Sequence, residues 1–465
     1  MRGAASKKAL LELASRTTTG VEKERLAMRL SYVRELDEYP TGARRMKILT
    51  MAVLAILIGS YEGQIAPVVP LLLDDLDMSL ATYGTVSGLA AVAGAIASIL
   101  GGRLTDRLGR VRLLIPLMAL TAVLCFVMTL VHTPRDLLLV RILLAFVDGV
   151  AMASTAPLIR DFSPRLGRAQ AFGFWTWGPV GANFLAAAVA GWTLPMFDDS
   201  WRSQFVIMGC FSLVISIVIA FNIADLSPEL RARIQHTERA ATRVVDLSAP
   251  PRLRSLFSRP NIWAHVVGIS LWLVLYVTLS LFGQTMLVGA LGVSSAEAST
   301  IMAAFWSLNL ITLIVTGRLS DRTQLRKPFS LGGTVAAVLV TAYLAVELGQ
   351  EGVSTGTLMV TGALLGGSLG VAYAPWMANY SEDAEDADPR LQGTAWGLFG
   401  FLSKGIAVIG LLVIPHVVEA TNWQTWLFVA LGCLVLFIPA IVMFNGPWRR
   451  SARTPAPVAL GEADS

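Results

Sequence analysis

The sequence predicts an all-α membrane protein with twelve transmembrane helices in two pseudo-symmetric six-helix bundles. Composition, the spacing of apolar runs and an internal repeat together predict it. Of 465 residues, 54% are hydrophobic and 15% charged, and mean hydropathy is +0.62; an average soluble domain carries about 25% charge. So much apolar side chain cannot be housed in one soluble core. Apolar runs of about 20 residues, the length that crosses ~30 Å of hydrocarbon, recur along the chain, and one long polar stretch divides them six and six.

Residues 1–46 carry Lys7-Lys8 and then Glu22-Lys23-Glu24-Arg25 in a charged helical pattern without the apolar core of a signal peptide. They read as a cytoplasmic N-terminal tail that is solvated or lies on the membrane surface. The first bundle, residues 47–224, holds runs near 47–72, 82–101, 112–132, 136–158, 169–195 and 203–224. Residues 225–260 form a linker rich in arginine, among them Arg231, Arg233, Arg239 and Arg243. The second bundle, residues 261–445, holds runs near 261–290, 295–316, 329–348, 355–379, 391–417 and 424–445. Residues 446–465, rich in Ala and Pro, read as a disordered tail.

Charge gives the orientation. The N-terminal tail, its end at Lys47 included, holds 11 Lys and Arg, the linker 7, and the four short loops on the same side 4, 3, 4 and 1. The opposite loops hold only Arg135 and Arg202. Positive residues are retained on the cytoplasmic side, so both termini are expected there. The net charge of +5 is carried by loops, and no nucleic-acid partner is expected. Cys125, Cys210 and Cys433 each sit in an apolar run without CxxC spacing, which argues against a disulfide framework or a zinc site. No cofactor or metal is expected. A GxxxxGK[ST] phosphate loop is missing from the sequence, and so are the HExxH motif and the paired catalytic His that an intramembrane hydrolase would need. The chain is not expected to be an enzyme.

The repeat lies in two loops. Gly102-Arg-Leu-Thr-Asp106-Arg107-Leu-Gly109-Arg110-Val-Arg112 follows the second run, and Gly317-Arg-Leu-Ser-Asp321-Arg322-Thr-Gln-Leu-Arg326-Lys327 follows the eighth. Ala156-Pro157-Leu, at the end of run four, is matched by Ala374-Pro375-Trp at the end of run ten. Duplicated six-helix units place a substrate site at mid-membrane between them. The first loop resembles the signature of the major facilitator superfamily, G-x-x-x-D-R-x-G-R-[KR]-[KR]; Gly102, Asp106, Arg107, Gly109, Arg110 and Arg112 match it, and Val111 departs from it. The segments Arg160–Arg168 and Ala374–Tyr380 resemble an actinobacterial subgroup of that family. The resemblance covers all twelve spans and implies the major facilitator fold, alternating access and a monomeric transporter of small molecules. It also implies a cytoplasmic gate in which Asp106 helps hold the outward-open state, with Arg107, Gly109 and Arg110 beside it and Asp321 and Arg322 in the second copy. Gly178-Pro179-Val-Gly181 partly resembles the helix-five motif associated with antiporters.

Four ionisable residues fall inside runs: Glu62, Arg141, Asp148 and Lys404. Such groups cost several kcal/mol in hydrocarbon, so each is a functional suspect. A rise of 1.5 Å per residue puts Glu62 and Arg141 at one depth, where an ion pair is feasible. Arg141 and Asp148 are seven apart and share a helix face. In proton-coupled members of the family, an acid on helix one beside an Arg on helix four commonly carries the coupling. Glu62 or Asp148 is therefore the expected proton carrier, and a permanent structural bridge is the alternative. Lys404 could bind an anionic substrate or neutralise Asp148; both stay open.

Aromatic and amide residues at cavity positions are Trp175, Trp177, Trp272, Tyr276, Gln284, Trp306, Asn309, Tyr373, Trp376 and Asn379. Of these, Tyr276, Asn309, Tyr373, Trp376 and Asn379 join Lys404 as substrate-binding candidates, although interfacial anchoring explains many such tryptophans. Gly94, Ser98 and Gly102, like Gly362, Gly366 and Gly370, are spaced by four and read as close helix packing. His265 and His416 read as hydrogen-bonded structural residues. The acidic segment from Glu382 to Asp388 is either solvated or a partner for Arg165 and Arg168 at a closed gate. The expected function is secondary active transport of a small organic solute, as metabolite or organic-acid symport with protons. Drug or metabolite efflux by antiport is the alternative.

Overall fold

The computed structural model describes residues 34–162, 168–227, 229–230, 233–234, 258–350, 352–387 and 392–449. Within these, the side chains of residues 102, 103, 106, 107, 156, 157, 160, 168–176, 385 and 392–394 lie outside the description. The described residues cross the bundle twelve times. The first crossing is broken: helix α1 (Gly42–Glu62) ends at Gly63, a 3-10 turn spans Ala66–Val68, and α2 (Val69–Asp75) completes the passage. Pro67 and Pro70 sit at the second positions of the turn and of α2, within the first turn, where a missing N–H costs nothing but the helix before them cannot continue.

Then follow α3 (Leu80–Leu108), α4 (Arg110–Met128), α5 (Pro134–Met152) with the short α6 (Thr155–Asp161), α7 (Arg168–Thr193) and α8 (Trp201–Asn222). The second set is α9 (Pro260–Leu291), α10 (Ser295–Thr323), α11 (Lys327–Glu347), α12 (Thr355–Ala387), α13 (Gln392–Ala420) and α14 (Trp423–Met443). Side-chain caps start several of them. Thr133 with Asp136, and Ser294 with Glu297, form reciprocal capping boxes, and Asn422 accepts the Thr425 N–H. Among the described residues, eleven crossings are long and apolar enough to span a membrane. The fourth, α5, is the exception because Arg135, Asp136, Arg141 and Asp148 lie within its 19 residues.

Two differences from the sequence reading stand at the N terminus. Helix α1 begins at Gly42, so Arg44 and Arg45 belong to its first turn rather than to a tail. Ahead of it, Glu35–Leu36 (β1) pairs in parallel with Asp225–Leu226 (β2), strapping the residues before the first crossing to those after the sixth. Leu36 and Leu226 are buried there against α1 and α4, which makes extended backbone better than helix at this place.

Each bundle is held by close backbone approach. In hydrocarbon no hydrophobic force drives helices together, so packing and small residues do. On α12, a Cβ at Gly366 would overlap the Phe305 carbonyl of α10, and one at Gly370 would fall on the Thr312 side chain. In the first bundle, the place for a Cβ on Gly149 of α5 is 2.5 Å from the Gly94 carbonyl of α3. The Ser98 hydroxyl instead donates to the Gly94 carbonyl of its own helix at 2.9 Å, with Lys404 of the other bundle 3.5 Å away. Large apolar side chains such as Leu139, Leu339 and Phe221 are exposed around the outside, a belt suited to lipid tails. The sequence Gly366-Gly-Ser368-Leu-Gly370 also fits a hydrolase elbow, but it lies inside α12 with the Ser368 hydroxyl donating to the Leu364 carbonyl; a nucleophile elbow needs a strand-to-helix turn.

The bundles touch along α3 with α13 and α7 with α10, and the turn at Ala66–Val68 packs on α9 and α10. These contacts gather at the end away from the basic loops, here the far end. On α3, Gly84 meets the Leu411 carbonyl and Pro415 of α13, and Gly88 meets Leu412. Gly191 of α7 meets Thr300 of α10. Tyr83 stands edge-on to Phe282 across the interface at 6.2 Å, and the Ser280 hydroxyl donates to Asn183 Oδ1. Toward the basic end α13 keeps its contact with α12 but turns an open face elsewhere: a Cβ at Gly397, Gly400 or Gly405 would meet nothing within 4 Å. Replacing Gly366 by Ala is expected to cost about 1–3 kcal/mol by overpacking, and Gly432→Ala, in open space on α14, almost nothing. Thermal unfolding of the two variants in detergent compares them.

Candidate functional site

Glu62 is the last residue of α1, and the break after it leaves the carboxylate facing α5 and α8. It is 1% exposed. Ser212 of α8 lies beside it, and its charged neighbour is Asp148. Asp148 reaches the same level because Gly59, one turn earlier on α1, has no side chain: the Asp148 Oδ1 is 3.1 Å from where a Cβ would stand. Asp148 in turn interacts electrostatically with Arg141 on its own helix and with Lys404 of α13. Lys404 is exposed midway along a spanning helix, with its Nζ 3.5 Å from the Ser98 hydroxyl of α3. Glu62 Oε1, Asp148 Oδ1 and Arg141 Nε are buried without a hydrogen-bond partner among the described residues.

The ion pair expected between Glu62 and Arg141 is not formed. The depth arithmetic treated helix one as straight and starting at residue 47, whereas the first crossing is 34 residues long and broken at Glu62. Glu62 therefore meets Asp148, two turns along α5 from Arg141. Arg141 faces Tyr83, Cys125 and Asp148 instead.

On the second bundle, Trp272 and Tyr276 of α9 stack with Tyr373 of α12, and the stack continues through Trp376 to Tyr380 with ring centroids 5.1–5.6 Å apart. Tyr276 and Tyr373 are half-buried, whereas Trp376 is 1% exposed and packs against Phe399 of α13, the helix that carries Lys404. Asn309 is buried and donates to the Gly366 carbonyl at 2.8 Å, inside the α10–α12 contact. Asn379 is buried further along α12. Of the candidates, then, Lys404 is exposed and Tyr276 and Tyr373 are half-buried, whereas Trp376, Asn309 and Asn379 are buried.

In the first repeat loop, Gly109 takes φ +97, which a side chain would strain. The surroundings of Gly102 and the side chains of Asp106 and Arg107 lie outside the description. Arg110 Nε is 3.2 Å from Asp161 Oδ2, both buried. Its backbone N–H and that of Val111 donate to Asp225 Oδ2 at 3.0 and 3.3 Å, so β2 caps α4. In the second loop, Gln324 stands where the first has glycine and adopts φ +55, left-handed but open to amide side chains. Asp321 pairs with Arg326 at 2.7 Å, Arg326 also binds Glu382 at 2.9 Å, and Arg322 is exposed. Burial of Arg326 opposes its charge, but Glu382 and Asp321 outweigh that and hold the guanidinium above its ordinary pKa. Glu382 is thus bound within its own bundle, and so is Asp383, which holds His265 Nε2 at 2.9 Å. Arg165 lies outside the described residues, as does the Arg168 side chain. His416 Nδ1 meets the Leu412 carbonyl at 2.7 Å.

Sequence reasoning missed Asp161, Asp225 and Glu419. Asp161 ends α6 and Asp225 lies in β2 after α8, both next to polar stretches where acids are commonplace. Glu419 accepts the Ala81 N–H at 2.8 Å across the bundle interface, a contact without a sequence signal.

Two six-helix bundles, joined at one end and contributing charges from both sides at mid-depth, define a membrane carrier. The family model described as Major Facilitator Superfamily matches residues 48–410, and the chain belongs to that superfamily. It is a multi-pass membrane transporter, not an enzyme. It is 23% identical over 461 residues to the gallate transporter of Pseudomonas putida (91% of this chain, 96% of that one). It is 24% identical over 387 residues to the hexuronate transporter of Bacillus subtilis (strain 168) (81% and 89%). A shorter likeness, 29% over 199 residues (41% and 45%), is to the multidrug resistance protein MdtG of Erwinia billingiae. Among solved structures it resembles a bacterial homolog of the human lysosomal transporter Spinster, inward-facing and occupied, with TM-score 0.63, 15% identity and coverage of 87% and 97%. The nucleoside transporter NupG gives 0.61, 19%, 87% and 100%.

Asp225→Ala leaves two N–H groups of α4 without their acceptor and is expected to lower stability by about 1–2 kcal/mol, with Asn recovering part of it. Thermal unfolding of the Asp225 variants reads this directly.

Proposed function

We propose that the protein imports a small organic carboxylate together with protons, by alternating access, across the cell membrane of a bacterium, acting as a monomer with both termini cytoplasmic. The observation that carries this reading is the four-charge cluster: Glu62, Asp148 and Arg141 from one bundle facing Lys404 from the other. The basic loops support the orientation, which makes the far end extracellular and the described state open to the cytoplasm. The names of two relatives aligned over most of the chain, a gallate and a hexuronate transporter, support a carboxylate as substrate.

Charge balance supplies the coupling. Two acids and two bases are balanced when empty, and moving unbalanced charge through hydrocarbon is expensive. A carboxylate that docks on Lys404 adds one negative charge. One proton on Glu62 restores the balance, and the loaded bundles can rock. Lys404 then exchanges Asp148 for the substrate carboxylate, Arg141 holds Asp148 meanwhile, and the ring edges of Tyr276 and Tyr373 offer an apolar wall beside the anion. On the cytoplasmic side Glu62 loses its proton, and the carboxylate leaves as Lys404 returns to Asp148.

The test uses the purified protein in unbuffered vesicles. Adding the right organic acid outside is expected to make the medium alkaline. Glu62→Gln is expected to abolish proton-driven accumulation while leaving exchange of labelled substrate across the membrane. Lys404→Gln is expected to raise KM about tenfold or more, the loss of a charged hydrogen bond. Full accumulation by Glu62→Gln removes Glu62 as carrier. Acidification on adding a cationic compound replaces this reading with efflux by antiport, which the likeness to MdtG over part of the chain and the run Gly178-Pro179-Val-Gly181 favour.

A further inference from the structure

We propose that Glu419 is the latch of the far-end gate, a positioning residue that holds the state described here by capping a helix of the opposite bundle. Helix α3 starts at Ser79, whose hydroxyl accepts the Thr82 N–H at 3.1 Å. That leaves the Ala81 N–H, an orphan donor of the first turn. Glu419, next to last in α13, supplies its Oε1 at 2.8 Å. The carboxylate thus meets both a specific donor and the positive end of the longest helix in the first bundle.

The contact belongs to the closed far end alone. It sits above the place where Gly84 lets the Leu411 carbonyl and Pro415 come close, so any rotation that opens this end parts Glu419 from Ala81 along with them. Once parted, both groups are wetted: Glu419 is exposed, and Ser79 still caps its own helix. The latch therefore favours one state without trapping it, because water replaces what is lost. The inference rests on the interface geometry and is independent of proton coupling and of the carboxylate.

Spin labels report the gate. Arg135→Cys and Gln350→Cys place them at the far ends of the two bundles, in a chain whose Cys125, Cys210 and Cys433 are replaced by Ser. With Glu419→Ala, the open population in the distance distribution is expected to rise about five- to tenfold, as for loss of one charge-assisted hydrogen bond. Glu419→Gln, which keeps an acceptor, is expected to fall between Ala and the unchanged chain. The thermal midpoint is expected to stay, since no contact inside either bundle is touched. Gly84→Leu, a wedge against Leu411, is the control that opens the gate by force. Widening with Gly84→Leu but none with Glu419→Ala overturns the proposal, and so does a fall in thermal midpoint with an unchanged distribution.

Discussion

Every charge within hydrocarbon has to be answered by another, and the architecture follows from that constraint. Four ionisable groups stand at mid-depth, and three of them come from the first bundle. Glu62 lies where α1 stops, Asp148 against the bare backbone of Gly59, and Arg141 two turns away on the face that Asp148 shares. The fourth, Lys404, comes from α13 and is the one charge of the cluster that moves with the other bundle. A cluster divided in this way cannot stay indifferent to rocking. Each displacement of α13 past α3 changes the distance between Lys404 and Asp148, and with it the charge that the remaining three must balance.

Close packing decides where the rocking can happen. The bundles themselves are rigid because glycines on α12 and α5 bring backbones into contact, and a backbone contact cannot be slid by a side-chain rotamer. Between the bundles, among the described residues, glycine gives close approach at Gly84, Gly88 and Gly191, all toward the far end. The interface is therefore a hinge-like seam at one end and open at the other. Two hydrogen bonds, Ser280 to Asn183 and Ala81 to Glu419, join the bundles along this seam.

Much of this was legible in the sequence. Length and hydropathy give the spans because hydrocarbon thickness sets a common scale, and the paired loops ending in Asp106-Arg107 and Asp321-Arg322 give the duplication. The glycine spacing at 362, 366 and 370 names a packing face correctly because helical periodicity is local. The partner of Glu62 was not legible. It depends on the break after Gly63 and on helix tilt, which shift the level of a side chain by whole turns, and rise per residue carries no information about either. Glu419 was invisible for a related reason. Its partner is a backbone N–H, which has no sequence identity, 338 residues away. The strap of Glu35–Leu36 on Asp225–Leu226 is likewise set by burial of two leucines in a tertiary cleft.

The two repeat loops show how a duplicated motif has parted in mechanics. Gly109, at φ +97, makes a turn only glycine holds comfortably, and Asp225 then fixes the first N–H groups of α4 from a buried position. A buried carboxylate with several backbone donors is hard to dislodge, since an unpaired charge there would cost several kcal/mol. In the second loop Gln324 makes a left-handed turn that any amide residue can hold, and Arg326 is met by Asp321 and Glu382, both more than half exposed. Exposed carboxylates exchange protein for water at little cost. The first loop is consequently a fixed part of its bundle and the second an adjustable one. The second loop can repack around Arg326 without disturbing the helices behind it, whereas the first cannot shift without uncovering Asp225.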